Sequence, residues 1–262
     1  MVAGTAVLSI TGCQVSLVNK ITVFAASSLI NPLNTILSRY QYSDFDTEFV
    51  VHYGGSNNLK SQIELGAPAD VYISADPRLI IALTKEHIVS GIPSPIASNY
   101  AAILAPASSS SVVHTIHDLT KHSVRIAMAG PNVPAGRLAR DLLRNLSMEN
   151  EFGSNFTSLV HEKVISHETS AQGVVSKILL GEVDAGFAFQ SDSHNSKMLR
   201  AVSLPKPALV GTNYIAVALS RENHAAQKFV DYLTTTAAKS EFRRNGFEAP
   251  YPPSSIPSVL EQ

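Results

Sequence analysis

The sequence has few charged residues, one cysteine and no long apolar segment beyond its first twenty residues. Aspartate, glutamate, lysine and arginine make up 16% of the 262 residues, and the formal net charge is −1. This balance excludes the strongly basic surface on which nucleic-acid binding depends. The single cysteine, Cys13, excludes an internal disulfide bond. Hydrophobic residues make up 45% of the chain, which is typical of a folded α/β protein with one large core or two lobes.

The surroundings of Cys13 indicate export from the cytoplasm. A short apolar run from Ala6 ends in small residues and this cysteine, as the hydrophobic region of a secretory signal does. The sequence Ile10-Thr-Gly-Cys13 resembles a bacterial lipobox, in which the cysteine becomes lipid-modified. We therefore expect residues 1–19 to be a signal and linker and Cys13 to be lipidated, in the periplasm or at the cell surface. Residues 1–12 depart from that pattern because they contain no lysine or arginine, and the alternative is an ordinary buried thiol.

A strand followed by a helix is predicted directly after this segment. Residues 21–25 are apolar and form the strand, and the helix is indicated by the helical spacing of Leu29, Leu33, Ile36 and Leu37. Ser28 lies between them as the expected N-cap. A later helix is predicted to begin at Asp76-Pro77, with Asp76 as N-cap and proline in the first position. The carboxyl end of a strand and the start of a helix are where open α/β sheets bind ligands, anions above all.

Strands and helices alternate along most of the chain. The remaining predicted strands cover residues 47–53, 69–74, 100–105, 124–129, 163–165, 185–189 and 214–219. This alternation predicts an α/β fold with βαβ units and a largely parallel sheet. The strands at 100–105 and 214–219 are the expected crossings between two lobes. Residues 20–102 and 216–262 would then form the first lobe, and residues 103–215 the second.

Four predicted strand-to-helix junctions carry small or hydroxyl residues. They are Ser27-Ser28, Gly55-Ser56, Pro134-Ala135-Gly136 and Ser170-Ala171, and none contains a charged residue or histidine. Each junction alone is ordinary helix capping. If they converge, however, four positive helix ends form an anion cage without a counter-charge. Such a site favours a fully ionised tetrahedral oxyanion, which accepts hydrogen bonds and brings no proton.

Several segments, in order, resemble the periplasmic molybdate-binding proteins, the ModA family of solute receptors for ABC transporters. The resemblance runs from about residue 21 to 247. It is carried by Thr22-Val-Phe-Ala-Ala-Ser-Ser-Leu29, Gly55-Ser56, Gly66-Ala-Pro-Ala-Asp70 with Ile73-Ser-Ala-Asp76, Val133-Pro-Ala-Gly136, Gly181-Glu-Val-Asp-Ala-Gly186 and Gly246-Phe247. The resemblance implies a type II periplasmic binding protein, with two α/β lobes, two crossing strands and the ligand in the cleft. It also implies capture of molybdate, and of tungstate, for a membrane ABC permease, by a monomer without enzymatic activity.

The resemblance also implies roles for individual residues. Ser28 and Ser56 would donate hydroxyl and backbone N–H groups from the first lobe, and Ala135 and Ala171 backbone N–H groups from the second. Phe189 occupies the position at which the family often has a tyrosine, so one hydroxyl donor is missing. The neighbouring residues Ser27, Asn57 and Tyr53 are further candidates for donors. No cofactor is expected, and the only metal is the one inside the oxyanion.

Three alternatives remain open from the sequence. The same fold can bind another anion, such as sulfate, phosphate or a small organic acid, because cavity size is not written in the sequence. A hydrolytic α/β enzyme is a second alternative, although no junction pairs a nucleophile with a nearby histidine. A ligand-sensing regulator is a third, against which no DNA-binding helix pair or basic arm is visible.

Overall fold

The computed structural model describes residues 18–220 and 223–251, so Cys13 and its predicted lipidation lie outside the described residues. The strands of this part are β1 (Asn19–Ala26), β2 (Thr47–Gly54), β3 (Val71–Ser74), β4 (Ser94–Pro106), β5 (Ile126–Ala129), β6 (Val164–Glu168), β7 (Ala185–Phe189), β8 (Leu199–Ala201) and β9 (Gly211–Ala218). The α-helices are α1 (Ile30–Ser43), α2 (Ser56–Glu64), α3 (Pro77–Lys85), α4 (Pro134–Met148), α5 (Phe156–His161), α6 (Ala171–Leu179), α7 (Gln190–His194), α8 (His224–Leu233) and α9 (Thr236–Arg244). Every predicted strand is confirmed, whereas β8, α5 and α7 were not predicted. No helix in these ranges combines the length and apolar character that a bilayer span requires.

The strands form a mixed sheet in the order β2-β1-β3-β9-β4-β7-β5-β6, with β8 also beside β4. Parallel pairing is confined to two groups, β1 with β2 and β3, and β5 with β6 and β7. β9 runs antiparallel to β3 and β4, and β4 runs antiparallel to β7 and β8. The prediction of a largely parallel sheet is therefore wrong at the centre. The reason is that β4 and β9 connect the two parallel groups and do not belong to βαβ units.

Strand β4 passes from one group to the other. Its residues up to Tyr100 pair with β9, whereas Ala101 and the residues after it pair with β7 and β8. β9 begins at Gly211, opposite Tyr100, where β4 changes partners. We call β1–β3, β9 and the first part of β4 the first lobe, and β5–β8 and the rest of β4 the second lobe. The sequence-based boundaries at 102/103 and 215/216 stay a prediction.

One cluster of buried apolar side chains runs through both lobes. It joins residues of β1 and α1, such as Leu29 and Leu33, to residues of α6 and β7, such as Val174 and Phe189. Each fully buried side chain of this kind contributes about 1.5–3 kcal/mol. Separate clusters lie on the outer faces, one in the second lobe and one under α2 and α3. The strand ends between the lobes therefore rest on a continuous apolar base.

The helix starts agree with the prediction at α3 and differ from it at α1. The Asp76 side chain accepts a hydrogen bond from the Arg78 N–H, and Pro77 is in the first turn, which confirms Asp76 as N-cap. Ser28 is not an N-cap. Residues Ser27–Leu29 form a 3-10 turn, and α1 begins only at Ile30. The Ser28 hydroxyl bonds the Tyr214 hydroxyl instead of a helix N–H, which is why the cap prediction is wrong.

Candidate functional site

The four predicted junctions meet at one small cavity between the lobes. It encloses about 230 Å³ of empty space. Its lining residues come from the ends of β1, β2, β5 and β7 and the helix starts that follow: Ala26, Ser27, Ser28, Gly54, Gly55, Ser56, Ala75, Val133, Pro134, Ala135, Ser170, Ala171 and Phe189. None of these described lining residues carries a charged side chain. The structure thus brings together all four neutral turns that the sequence singles out.

The two serines of the first lobe are buried, and their oxygens are already engaged on the side of the protein. Ser56 is the first residue of α2, and its Oγ accepts the N–H of Ala75 at 3.1 Å. The Tyr72 hydroxyl donates to the Ser56 carbonyl oxygen at 2.7 Å and holds the turn in place. The Ser28 Oγ lies 2.8 Å from the Tyr214 hydroxyl oxygen. Because the Ser56 oxygen accepts from the backbone, its own hydrogen is free to point into the cavity.

The second lobe contributes the starts of α4 and α6. Ala135 is the second residue of α4, after Pro134, and Ala171 is the first residue of α6. The N–H groups in the first turn of a helix have no partner within the helix, so these turns present donors. The Ser170 Oγ caps α6 by accepting the Gly173 N–H at 3.1 Å. Both helices direct the positive ends of their dipoles towards the cavity.

A glycine is required for α4 to begin so close to β5. A Cβ atom built on Gly136 would lie 2.1 Å from the Gly130 carbonyl oxygen and 2.3 Å from that of Ala129. Real side chains do not approach backbone oxygens so closely. The glycine after Ala135 therefore lets the first turn of α4 press against the strand end, which brings the Ala135 N–H to the cavity wall.

The other predicted site residues differ in their positions. Ser27 lines the cavity, and so does the buried ring of Phe189, which offers no hydrogen-bonding group. Asn57 is not among the lining residues, and its Nδ2 donates to the Asn58 side chain at 3.0 Å. The Tyr53 hydroxyl donates to the Asn34 side chain at 2.7 Å. The structure therefore does not bring Asn57 or Tyr53 into the cavity as replacements for a hydroxyl at position 189.

The nearest described charges form an ion pair that joins the lobes. Asp76, at the start of α3, pairs with Arg137 in the first turn of α4. The contact is an ion pair and not an aligned hydrogen bond, since the paired atoms lack hydrogen-bond geometry. Burial lowers the pKa of Arg137 from its usual value. Asp76 also contacts the Arg78 Nε at 3.2 Å. These charges neutralise one another behind the cavity wall, so the cavity itself stays uncharged.

The lobes touch directly beside the cavity. A Cβ atom on Gly55, which begins α2, would lie 2.2 Å from the carbonyl oxygen of Thr169, which precedes α6. An open groove adjoins this contact and shares four lining residues with the cavity. Its further lining is neutral and polar, apart from His52 and apolar residues, and includes Tyr53, Asn58, Gln62, Gln172 and Ser176. The cavity is therefore closed on the side of Gly55 and reached from this groove.

Tyr214 is the residue of this site that the sequence analysis missed. It lies in β9, is fully buried, and reaches Ser28 across 186 positions of the chain. Strand prediction placed it correctly in a strand but cannot tell which buried hydroxyl meets which serine. Only the antiparallel pairing of β9 with β3 brings Tyr214 behind the first junction.

Comparison with known proteins agrees with this geometry. Residues 21–248 match the sequence profile of the family described as "Bacterial extracellular solute-binding protein". The molybdate-binding protein ModA of Escherichia coli is 29% identical over 237 residues, covering 87% of this chain and 88% of that protein. The periplasmic molybdate-binding protein of Azotobacter vinelandii superposes with a TM-score of 0.75 at 20% identity, over 88% of this chain and all of that one. The sulfate-binding protein SubI of Mycobacterium tuberculosis gives 0.74 at 18% identity, over 90% and 88%.

Proposed function

The chain belongs to the bacterial extracellular solute-binding proteins, and from this premise we propose that it captures molybdate and delivers it to an ABC-transporter permease. Its fold is the two-lobed type II periplasmic binding protein fold. It acts outside the cytoplasm, as a binding protein and not as an enzyme. Tungstate, which has the same charge and shape, is proposed as a second ligand.

The observation that carries the proposal is the convergence of four neutral helix starts on one cavity. Ser28 and Ser56 are proposed to donate from the first lobe, and Ala135 and Ala171 from the second. A hydrogen bond to a charged group contributes about 1.5–3 kcal/mol, so several such bonds hold a dianion without any lysine or arginine. The donors of one lobe alone surround only part of the ion, so binding favours the state in which the lobes meet.

Sulfate is the second candidate ligand. The favouring observation is the TM-score of 0.74 to a sulfate-binding protein, which shows a shared fold at only 18% identity. Sulfate and molybdate are both tetrahedral dianions, so the helix starts do not distinguish them by charge. The relative with the higher identity, 29%, is a molybdate-binding protein, and we therefore rank molybdate first.

Isothermal titration calorimetry with a panel of oxyanions tests the proposal. We expect molybdate and tungstate to bind with one ion per chain and to displace sulfate and phosphate in competition. Elemental analysis of protein purified from molybdate-supplemented medium should show bound molybdenum. Tighter binding of sulfate than of molybdate would overturn the choice of ligand, and no binding of any oxyanion would overturn the function.

We further propose that the chain works as a monomer tethered to the membrane by a lipid on Cys13. The support for the tether is the lipobox-like sequence Ile10-Thr-Gly-Cys13 and a relative in Bacillus subtilis, 26% identical, described as a putative ABC transporter substrate-binding lipoprotein. Mass spectrometry of the mature amino terminus tests the lipid. A mature chain that retains residues 1–12 would contradict it. Light scattering of the purified protein tests the monomer.

A further inference from the structure

Tyr214 contacts the cavity only through Ser28. Its hydroxyl oxygen lies 2.8 Å from the Ser28 Oγ, and both side chains are buried. The Tyr214 ring also packs edge-on against Phe189, with ring centroids 6.0 Å apart. The tyrosine therefore stands behind two parts of the cavity wall, the donor at Ser28 and the apolar ring at Phe189.

The surroundings of Tyr214 decide which way its hydrogen points. Burial raises the pKa of Tyr214, so the hydroxyl keeps its proton at neutral pH. Asn99 also hydrogen-bonds this hydroxyl. The Asn99 Oδ1 already accepts the N–H groups of Tyr100 and Ser191, which leaves its Nδ2 group to face Tyr214 as a donor. A tyrosine oxygen that accepts from Asn99 has its one hydrogen available for Ser28.

The Ser28 hydroxyl is then in the same state as that of Ser56. The oxygen of each serine accepts a hydrogen bond from the protein, Ser28 from Tyr214 and Ser56 from the Ala75 N–H. The hydrogen of each is consequently free for a ligand. The Ser170 oxygen is likewise occupied by the Gly173 N–H. With these oxygens in use and no carboxylate in the lining, the cavity presents hydrogen-bond donors and Phe189 presents nothing.

We propose that Tyr214 is a positioning and selectivity residue, which fixes Ser28 as a donor and so excludes anions that carry a proton. This inference rests on the proposed function and adds a chemical rule to it. Molybdate, tungstate and sulfate are fully deprotonated at neutral pH, whereas phosphate carries at least one proton that needs an acceptor. Without the Tyr214 hydroxyl, the Ser28 oxygen regains a free lone pair and accepts the hydrogen of a protonated anion.

Calorimetry with Tyr214→Phe, in competition between molybdate and phosphate at neutral pH, tests the inference. The ring and its packing remain, so the variant is expected to fold, and its thermal midpoint checks this. We expect the molybdate Kd to rise about tenfold and the ratio of phosphate affinity to molybdate affinity to rise by a further factor of about ten or more. Ser28→Ala should also weaken molybdate but should not improve phosphate, because no oxygen is left to accept.

Tyr40→Phe is the matched control. Tyr40 is also a buried tyrosine, but its ring packs against Phe49, Phe229 and Tyr232, far from the cavity lining. It should leave both affinities unchanged. An equal loss of both anions in Tyr214→Phe, or no change in either, would overturn the inference while leaving the proposed function intact. A parent protein that binds no oxyanion would overturn the proposed function first, and the inference with it.

Discussion

Gly55→Ala should prevent the two lobes from meeting around the ligand without disturbing either lobe. Gly55 has φ −64° and ψ 131°, an extended conformation that alanine adopts freely, so no backbone strain is introduced. The added Cβ would lie 2.2 Å from the Thr169 carbonyl oxygen, whereas an ordinary contact needs more than 3 Å. The obstacle is backbone and cannot rotate away. The lobes must therefore separate by roughly 1 Å at this point.

The expected loss of affinity follows from that separation. A hydrogen bond of ordinary length weakens steeply when stretched by such a distance. The second-lobe donors at Ala135 and Ala171 are the ones displaced. Loss of one such bond to a charged ligand costs about 1.5–3 kcal/mol, which corresponds to a rise in Kd of roughly 10- to 150-fold.

Calorimetric titration with molybdate measures this loss, and Gly130→Ala is the matched control. Gly130 also lies beside the site in the second lobe, but the nearest atoms to its added Cβ are 3.8 Å away, which is ordinary contact. Gly130→Ala should bind like the parent. Thermal unfolding of the ligand-free proteins should show that both variants are folded. If Gly55→Ala binds molybdate as tightly as the parent, the contact between Gly55 and Thr169 is not part of the bound state and the reasoning is wrong.

Three further predictions concern the donors, the lobe contact and the pH dependence of stability. Ser28→Ala combined with Ser56→Ala should abolish high-affinity molybdate binding in calorimetry, and parent-like binding would refute the assignment of these donors. Arg137→Met removes the ion pair with Asp76 and should raise the molybdate Kd about tenfold, because a buried charge loses its partner across the lobes; an unchanged Kd would show that the pair does not support closure. Burial raises the pKa of Asp192 from 3.8 to about 7, although part of the residue reaches solvent. The folded state therefore binds this proton more tightly than the unfolded state, and the free energy of unfolding should fall as pH rises from about 4 to about 7. Asp192→Asn should flatten that slope in denaturant titrations, and an equally steep slope in the variant would contradict the prediction.

Local sequence rules were sufficient to find the four junctions. Apolar strands, small residues after them and helical spacing beyond are short-range signals, and the structure gathers all four turns at one cavity. The same rules found the cap at Asp76 and the strand that contains Phe189. These features depend only on neighbouring residues, which explains why they could be predicted.

Features that depend on distant parts of the chain were missed or wrong. Ser28 is not a helix cap because a hydroxyl from β9 competes for its side chain. The crossing strand β4 was predicted to begin at residue 100 but begins at Ser94, because its first half is held by antiparallel pairing with β9. The ion pair of Asp76 with Arg137 joins residues of different lobes. No periodicity in the sequence encodes such partners.

The location of the bound metal tests the central claim most directly. Anomalous diffraction from crystals grown with molybdate reveals the molybdenum position without reference to the protein density. We predict one site per chain, inside the cavity bounded by Ser28, Ser56, Ala135 and Ala171, with backbone N–H and serine hydroxyl groups as its nearest neighbours. A molybdenum peak on the protein surface, or one held by lysine, arginine or histidine side chains, would contradict the account.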